Sequence, residues 1–168
     1  MKVALSPVGE TLLESLIVED MVPKQYGADS HRRFPEYLEA MKKADLSKSR
    51  YEISEQLLLA IPDLTTRRFL LTNLLGGRYS YRWRMNLETI GKHLNSVDDV
   101  DLPKKTFHGK TLFISGGRSP YVTPEDHPLI LSLFPKTQFA VVDSAGHWVH
   151  AEKPYDFIDH VARFIGGQ

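Results

Sequence analysis

Between Lys110 and Ile165 the chain alternates twice between two kinds of apolar patterning, and this alternation restricts the fold more than any other feature. Lys110-Thr111-Leu112-Phe113-Ile114 is short, apolar and rich in β-branched and aromatic residues, which predicts a strand. Ser115 to Val122 reads as a loop. Thr123-Pro124-Glu125-Asp126 then supplies an N-cap and a first-turn Pro, and Leu129, Ile130 and Leu133 give the helix that follows an apolar face. Phe139-Ala140-Val141-Val142 predicts a second buried strand, broken by Asp143, Ser144 and Gly146. After Pro154, the residues Phe157, Ile158, Val161, Phe164 and Ile165 recur at helical spacing. Strand, helix, strand, helix at these intervals predicts parallel strands joined by crossover helices, the α/β class.

The first half of the chain is less regular. Met1 to Leu5 reads as a helix end, closed by Ser6-Pro7 and Gly9. The second half of Leu12 to Val18 reads as a buried strand ending at Glu19-Asp20, with Pro23 in the loop beyond. His31 to Lys43, Ser47 to Ile61 and Asp63 to Leu75 each carry apolar residues at helical spacing: Phe34, Tyr37, Leu38 and Met41, then Leu57, Leu58 and Ile61, then Phe69, Leu70 and Leu74. Pro62 and Gly76-Gly77 are among their separators. Tyr79 to Arg84 alternates aromatic and polar residues, as a packing strip or an extended piece over a cleft. Leu87 to Leu94 is a further helix with Asn86 as N-cap. Most of the Lys and Arg lie in this region, so it is either a solvated helical face or a cap over a pocket.

Length and composition exclude several classes. At 168 residues the chain can bury one sizeable core and is short for two. Its 21 Lys and Arg equal its 21 Asp and Glu, so no net field points to nucleic acid or an acidic membrane as a partner. The absence of Cys removes disulfides, thiolate catalysis and Cys-based zinc sites. No apolar run approaches the length of a membrane span, and MKVALSPVGE is neither a signal peptide nor an Arg- and Ser-rich transit peptide.

The residues that attract a chemical reading sit at strand ends. His147, in the loop between Phe139–Val142 and the last helix, suits a general base, and a surface histidine is the plainer alternative. Asp20, at the C-terminal edge of another strand, suits the carboxylate that orients such a base; open α/β sheets carry their working groups there. Glu88 and Asp126 are rival acids, each with an ordinary explanation as a helix-start carboxylate. The nucleophile is the difficulty, because no G-x-S-x-G elbow occurs. Ser119 comes closest, but lacks the second glycine and is followed by Pro120. His147 and His150 are three apart without a third metal ligand at credible spacing, and Gly116-Gly117 belongs to no phosphate-binding motif. Neither metal nor organic cofactor is therefore expected. Trp83, Tyr121 and Trp148 are candidate pocket residues.

Four segments in order resemble a known superfamily. They are Leu16 to Pro23, Trp83 to Leu87, Leu112 to Val122, and Ala145-Gly146-His147-Trp148-Val149-His150-Ala151-Glu152-Lys153-Pro154. Together they look like α/β-hydrolases, within the branch of mitochondrial abhydrolase-domain proteins, bacterial short-chain esterases and yeast ethanol acetyltransferases. The resemblance implies a serine-type ester hydrolase acting on a small ester or acyl substrate, or an alcohol O-acyltransferase of the same branch, with His147 as base and Asp20 as acid. It implies a partial hydrolase core at 1–22 and 97–168, with a helical cap inserted at 23–96. It also implies a C-terminal part of the fold, without the strands and elbow that family members carry earlier. On its own such a part is expected to be poorly stable and inactive, or an interaction module. The location implied is mitochondrial, and otherwise cytoplasmic.

Overall fold

The computed structural model describes residues 1–24, 33–77, 80–94 and 105–167. In chain order the elements are α1 (Gly9–Leu12), β1 (Ser15–Glu19), α2 (Phe34–Lys43), α3 (Arg50–Gln56), α4 (Leu64–Leu71), β2 (Leu74–Leu75), β3 (Arg82–Trp83), α5 (Leu87–His93), β4 (Lys110–Gly116), α6 (His127–Leu133), β5 (Thr137–Val142), α7 (Val149–Glu152) and α8 (Pro154–Gly166). A 3₁₀ turn, Pro124–Asp126, leads into α6. His31, Tyr79 and the segment around residue 97 lie outside the described residues. The chain divides into two compact units, Met1–Lys24 with Val100–Gln168, and Gln25–Asp99, a division that length alone does not foretell.

The first unit is built on three parallel strands in the order β1-β4-β5, so the predicted α/β architecture is present. β4 lies in the middle, and Leu112, Phe113 and Ile114 are buried on alternate faces. On one face Leu112 and Ile114 join Val142, Ala145, Val149 and Phe164. On the other, the Phe113 ring meets Phe134 at 5.7 Å and Phe139 at 6.2 Å between centroids. A fully buried Phe is worth about 2–3 kcal/mol of transfer free energy, and with the cavity it leaves Phe113→Ala should cost this sheet about 3–5 kcal/mol.

Position in the sheet corrects several local expectations. The apolar run predicts a buried β1, yet within it only Val18 is buried, because β1 stands at the end of the strand order. In α6 the side chain that buries is Ile130, whereas Leu129 is 39% exposed. In α8 the inward stripe is Phe157, Val161 and Phe164, while Ile158 and Ile165 lie one residue, about 100°, round the helix and are 59% and 69% exposed. Met1 to Leu5 is a hydrogen-bonded turn (Leu5 N to Met1 O, 3.1 Å), and the helix proper is α1.

The second unit holds α2 to α5 and a two-stranded antiparallel pair, β2 with β3. Leu38, Met41, Ile53, Leu57, Ile61, Leu71, Leu74 and Leu87 form its core. Leu58 and Phe69, read as part of the apolar faces, are exposed. The starts of α3, α4 and α5 are capped by side chains. Ser49 and Glu52 form a reciprocal capping box, Asp63 accepts from Thr66 N, and Asn86 Oδ1 accepts from Thr89 N at 3.0 Å. Arg67 is buried and spends its donors on the carbonyls of Ile61 (2.7 Å) and Pro62 (2.8 Å), tying the turn before α4 to the helix.

Candidate active site

Two parallel neighbours, β1 and β4, end side by side, and the loop after β5 returns to the same edge. Asp20 follows the last residue of β1. Its backbone N–H continues the ladder by donating to Ile114 O at 2.8 Å, and the chain then turns sharply. Asp20 has φ 43°, a left-handed conformation that Asp tolerates better than most residues. The turn drives its carboxylate inward, where it is 0% exposed.

Three donors converge on that buried carboxylate. Oδ1 accepts from the Gly116 N–H at 3.3 Å, Oδ2 accepts from the Ser119 hydroxyl, and Oδ2 lies 2.8 Å from His147 Nδ1. Such satisfaction is what allows a carboxylate to be buried at all. A carboxylate only accepts, so the ring nitrogen facing it carries the proton. His147 is thereby held as the Nδ1–H tautomer with Nε2 free as an acceptor. The His147 side chain remains 38% exposed, and the Tyr121 ring stacks on the imidazole at 4.1 Å and 21°. Ser119 Oγ in turn accepts from Tyr121 N at 3.2 Å, linking the stacking residue to the carboxylate.

The loop before His147 is fastened onto the end of β4. Gly117 N donates to Val142 O and Arg118 N to Ala145 O, both at 2.9 Å. The fit is close enough to require glycine: a Cβ at Gly116 would lie 2.1 Å from Gly146 O and 2.7 Å from Ala145 O. The Gly116-Gly117 pair is therefore a packing device for this loop. Ser144, at φ 61°, makes the reversal before Ala145.

Other singled-out residues have other surroundings. Ser119, the nearest approach to a nucleophile in the sequence, points its hydroxyl at Asp20. Both oxygens of Asp126 meet Lys24 Nζ, at 2.6 and 2.7 Å, and Oδ2 also accepts from Thr123 N at 3.0 Å. Burial opposes ionisation there, but the ammonium and the amide outweigh it and hold the Asp126 carboxyl below the usual carboxylate range. Glu88 pairs with Lys42 at 3.3 Å along a groove between α2 and α5. His150 turns its Nδ1 to Glu19, and among the described residues no three His, Asp or Glu side chains gather as a metal site. Trp83 packs on the core of the second unit and donates its indole N–H to Met41 O at 3.0 Å. Trp148 directly follows His147, half-buried at the start of α7. Sequence reasoning missed Ser119 as a partner of Asp20, and no local pattern marks it.

The backbone superposes on a solved marine microorganism esterase with a TM-score of 0.80 and 31% identity, over 90% of this chain and 60% of that one. By this likeness and by its relatives in sequence, the chain belongs to the α/β-hydrolase superfamily, of whose fold it spans a part. It is 38% identical over 162 residues to the sn-1-specific diacylglycerol lipase ABHD11 of Mus musculus, covering 92% of this chain and 52% of that protein. It is 26% identical over 163 residues to esterase YbfF of Escherichia coli, covering 96% of this chain and 61% of that protein. No family model matches the chain. The chain spans about half the length of the curated ABHD11 relatives it matches. Among the described residues, no helix is long and apolar enough to cross a membrane.

Proposed function

We propose that this chain carries the acid and base of a serine-type carboxylic ester hydrolase, Asp20 and His147. The observation supporting it most directly is the 2.8 Å contact between the buried Asp20 carboxylate and His147 Nδ1, which leaves Nε2 outward as a base. In this reading Nε2 takes the proton of a serine hydroxyl as it attacks the ester carbonyl, and Asp20 stabilises the imidazolium that forms. The imidazolium then protonates the departing alcohol, and a water deprotonated by the same nitrogen releases the acid. The serine and the oxyanion donors are assigned to a part of the protein outside these 168 residues, which contain no G-x-S-x-G. Residues 23–96 are the cap insertion, and Tyr121 and Trp148, flanking the base, line the acyl pocket. The mouse relative's name makes acylglycerols the first substrates to test, and a mitochondrial location goes with the same branch.

The test begins with the transcript upstream of the Met1 codon, which should encode G-x-S-x-G in frame. The full-length protein is then assayed for acid release from a short-chain ester and from diacylglycerol, with and without ethanol to reveal acyl transfer. His147→Ala and Asp20→Asn should each lower kcat by about 10³–10⁴-fold with little change in KM. Turnover that survives Asp20→Asn and is abolished by Asp126→Asn would sink the assignment of the acid.

A further inference from the structure

The loop that presents His147 is gripped from outside at both ends, by carboxylates with no part in the proton transfers described above. On its N-terminal side, Glu152 Oε2 accepts from Gly146 N at 2.9 Å and from the Arg118 guanidinium at 3.2 Å. On its C-terminal side, Glu19 Oε1 accepts from His150 N at 3.0 Å. The same carboxylate takes the His150 ring, with Nδ1 at 2.7 Å from Oε1 and 2.9 Å from Oε2. The His150 ring also sets its edge against Phe157 of α8, 6.2 Å between centroids and 68° between planes. Glu19 is the residue before Asp20, and His150, the second residue of α7, stands three positions beyond His147. The β1 end and the α7 start are thus joined twice, inside by Asp20 with His147 and outside by Glu19 with His150.

Geometry gives the outer link a purpose. Asp20 is fixed by the sheet and by two further donors, whereas His147 is on a loop, with its side chain partly in solvent. A base whose ring can swing loses the alignment on which proton transfer depends, and misplacement by about 1 Å costs up to about 100-fold in rate. We propose that Glu19 and His150 are positioning residues that hold the His147 imidazole on Asp20, an inference that rests on the acid–base reading of that pair. His150 is then a clamp on the neighbouring strand, and its ring nitrogen Nδ1 is already engaged as the donor.

The full-length protein tests this with Glu19→Ala, His150→Ala, the double variant and Glu19→Gln, each measured for kcat, KM, thermal midpoint and the NMR resonance of the His147 ring N–H. Glu19→Ala should lower kcat about tenfold at unchanged KM and midpoint, and shift or broaden the His147 N–H resonance. His150→Ala keeps its backbone N–H and should lose about threefold. The double variant should match Glu19→Ala, because the two act through each other. Glu19→Gln, which keeps an oxygen for the His150 N–H, should recover to the level of His150→Ala. Unchanged kcat and resonance in Glu19→Ala, with His147→Ala inactive, overturn the proposal and leave the acid–base reading standing. If His147→Ala retains turnover, that reading fails instead. The ring resonance then decides the clamp alone, upheld by a shift in Glu19→Ala and overturned by none.

Discussion

Replacing Gly116 by Ala puts a methyl group into one of the tightest backbone approaches in the first unit. The added Cβ would stand 2.1 Å from Gly146 O and 2.7 Å from Ala145 O, where ordinary contact begins near 3.4 Å. Both obstacles are backbone, so no side chain can rotate away, and Gly146 O must retreat by more than 1 Å. Gly116 N is itself bonded to Asp20 Oδ1, so β4 cannot yield without disturbing the Asp20 carboxylate as well. Overpacking of this kind costs about 1–3 kcal/mol, or about 4–8 °C in thermal midpoint at 2 kcal/mol for a chain of this size. The displaced segment leads directly into His147, so kcat should also fall, by up to about 100-fold. Circular dichroism melting, the His147 ring resonance and turnover of the full-length protein read the three effects. Gly91→Ala is the control: its Cβ meets nothing closer than Lys42 Nζ at 3.6 Å, and in an exposed helix the change should be neutral or stabilising by about 0.4–1 kcal/mol. If Gly116→Ala melts and turns over like Gly91→Ala, the argument that this contact sets the His147 loop is refuted.

Ser119→Ala removes one donor from Asp20 and the acceptor of Tyr121 N; kcat should fall about five- to tenfold, near 1 kcal/mol. Complete loss of turnover, together with covalent labelling of Ser119 by an acylating inhibitor, would instead make it the nucleophile. Asp126 is depressed below the usual carboxylate range, so its contribution is fully present above the unfolded-state value near 4 and is lost as pH falls through the lower native value. By removing the charged hydrogen bonds to Lys24, Asp126→Asn should lower stability at pH 7 by about 2 kcal/mol, and it should flatten the fall in thermal midpoint as pH drops below about 4; an unchanged acid limb would rule this out.

Helices and strands whose signals are local were legible without coordinates. Phe139 to Val142 and Lys110 to Ile114 are compact apolar runs, and Asn86 caps α5 as its residue type suggests, because these preferences act over a few residues. The side of a helix that meets the sheet was less legible. Ile158 and Ile165 fit the periodicity of α8 as well as Val161 does, yet lie exposed, since hydropathy records how apolar a residue is and not which neighbour is available to cover it. The pairing of Leu74–Leu75 with Arg82–Trp83 was missed for a related reason: two-residue strands have no period to detect.

The site divides along the same line. By itself, the sequence determined that Asp20 and His147 each follow a strand and that no G-x-S-x-G accompanies them. Only the tertiary structure decided that strand order places β1 beside β4, that the loop after β5 folds back over Gly116, and that Ser119 spends its hydroxyl on Asp20. Glu19 meeting His150 across 131 positions is of the same kind. Such contacts depend on register and loop closure between distant segments, and no short-range preference of the chain encodes them.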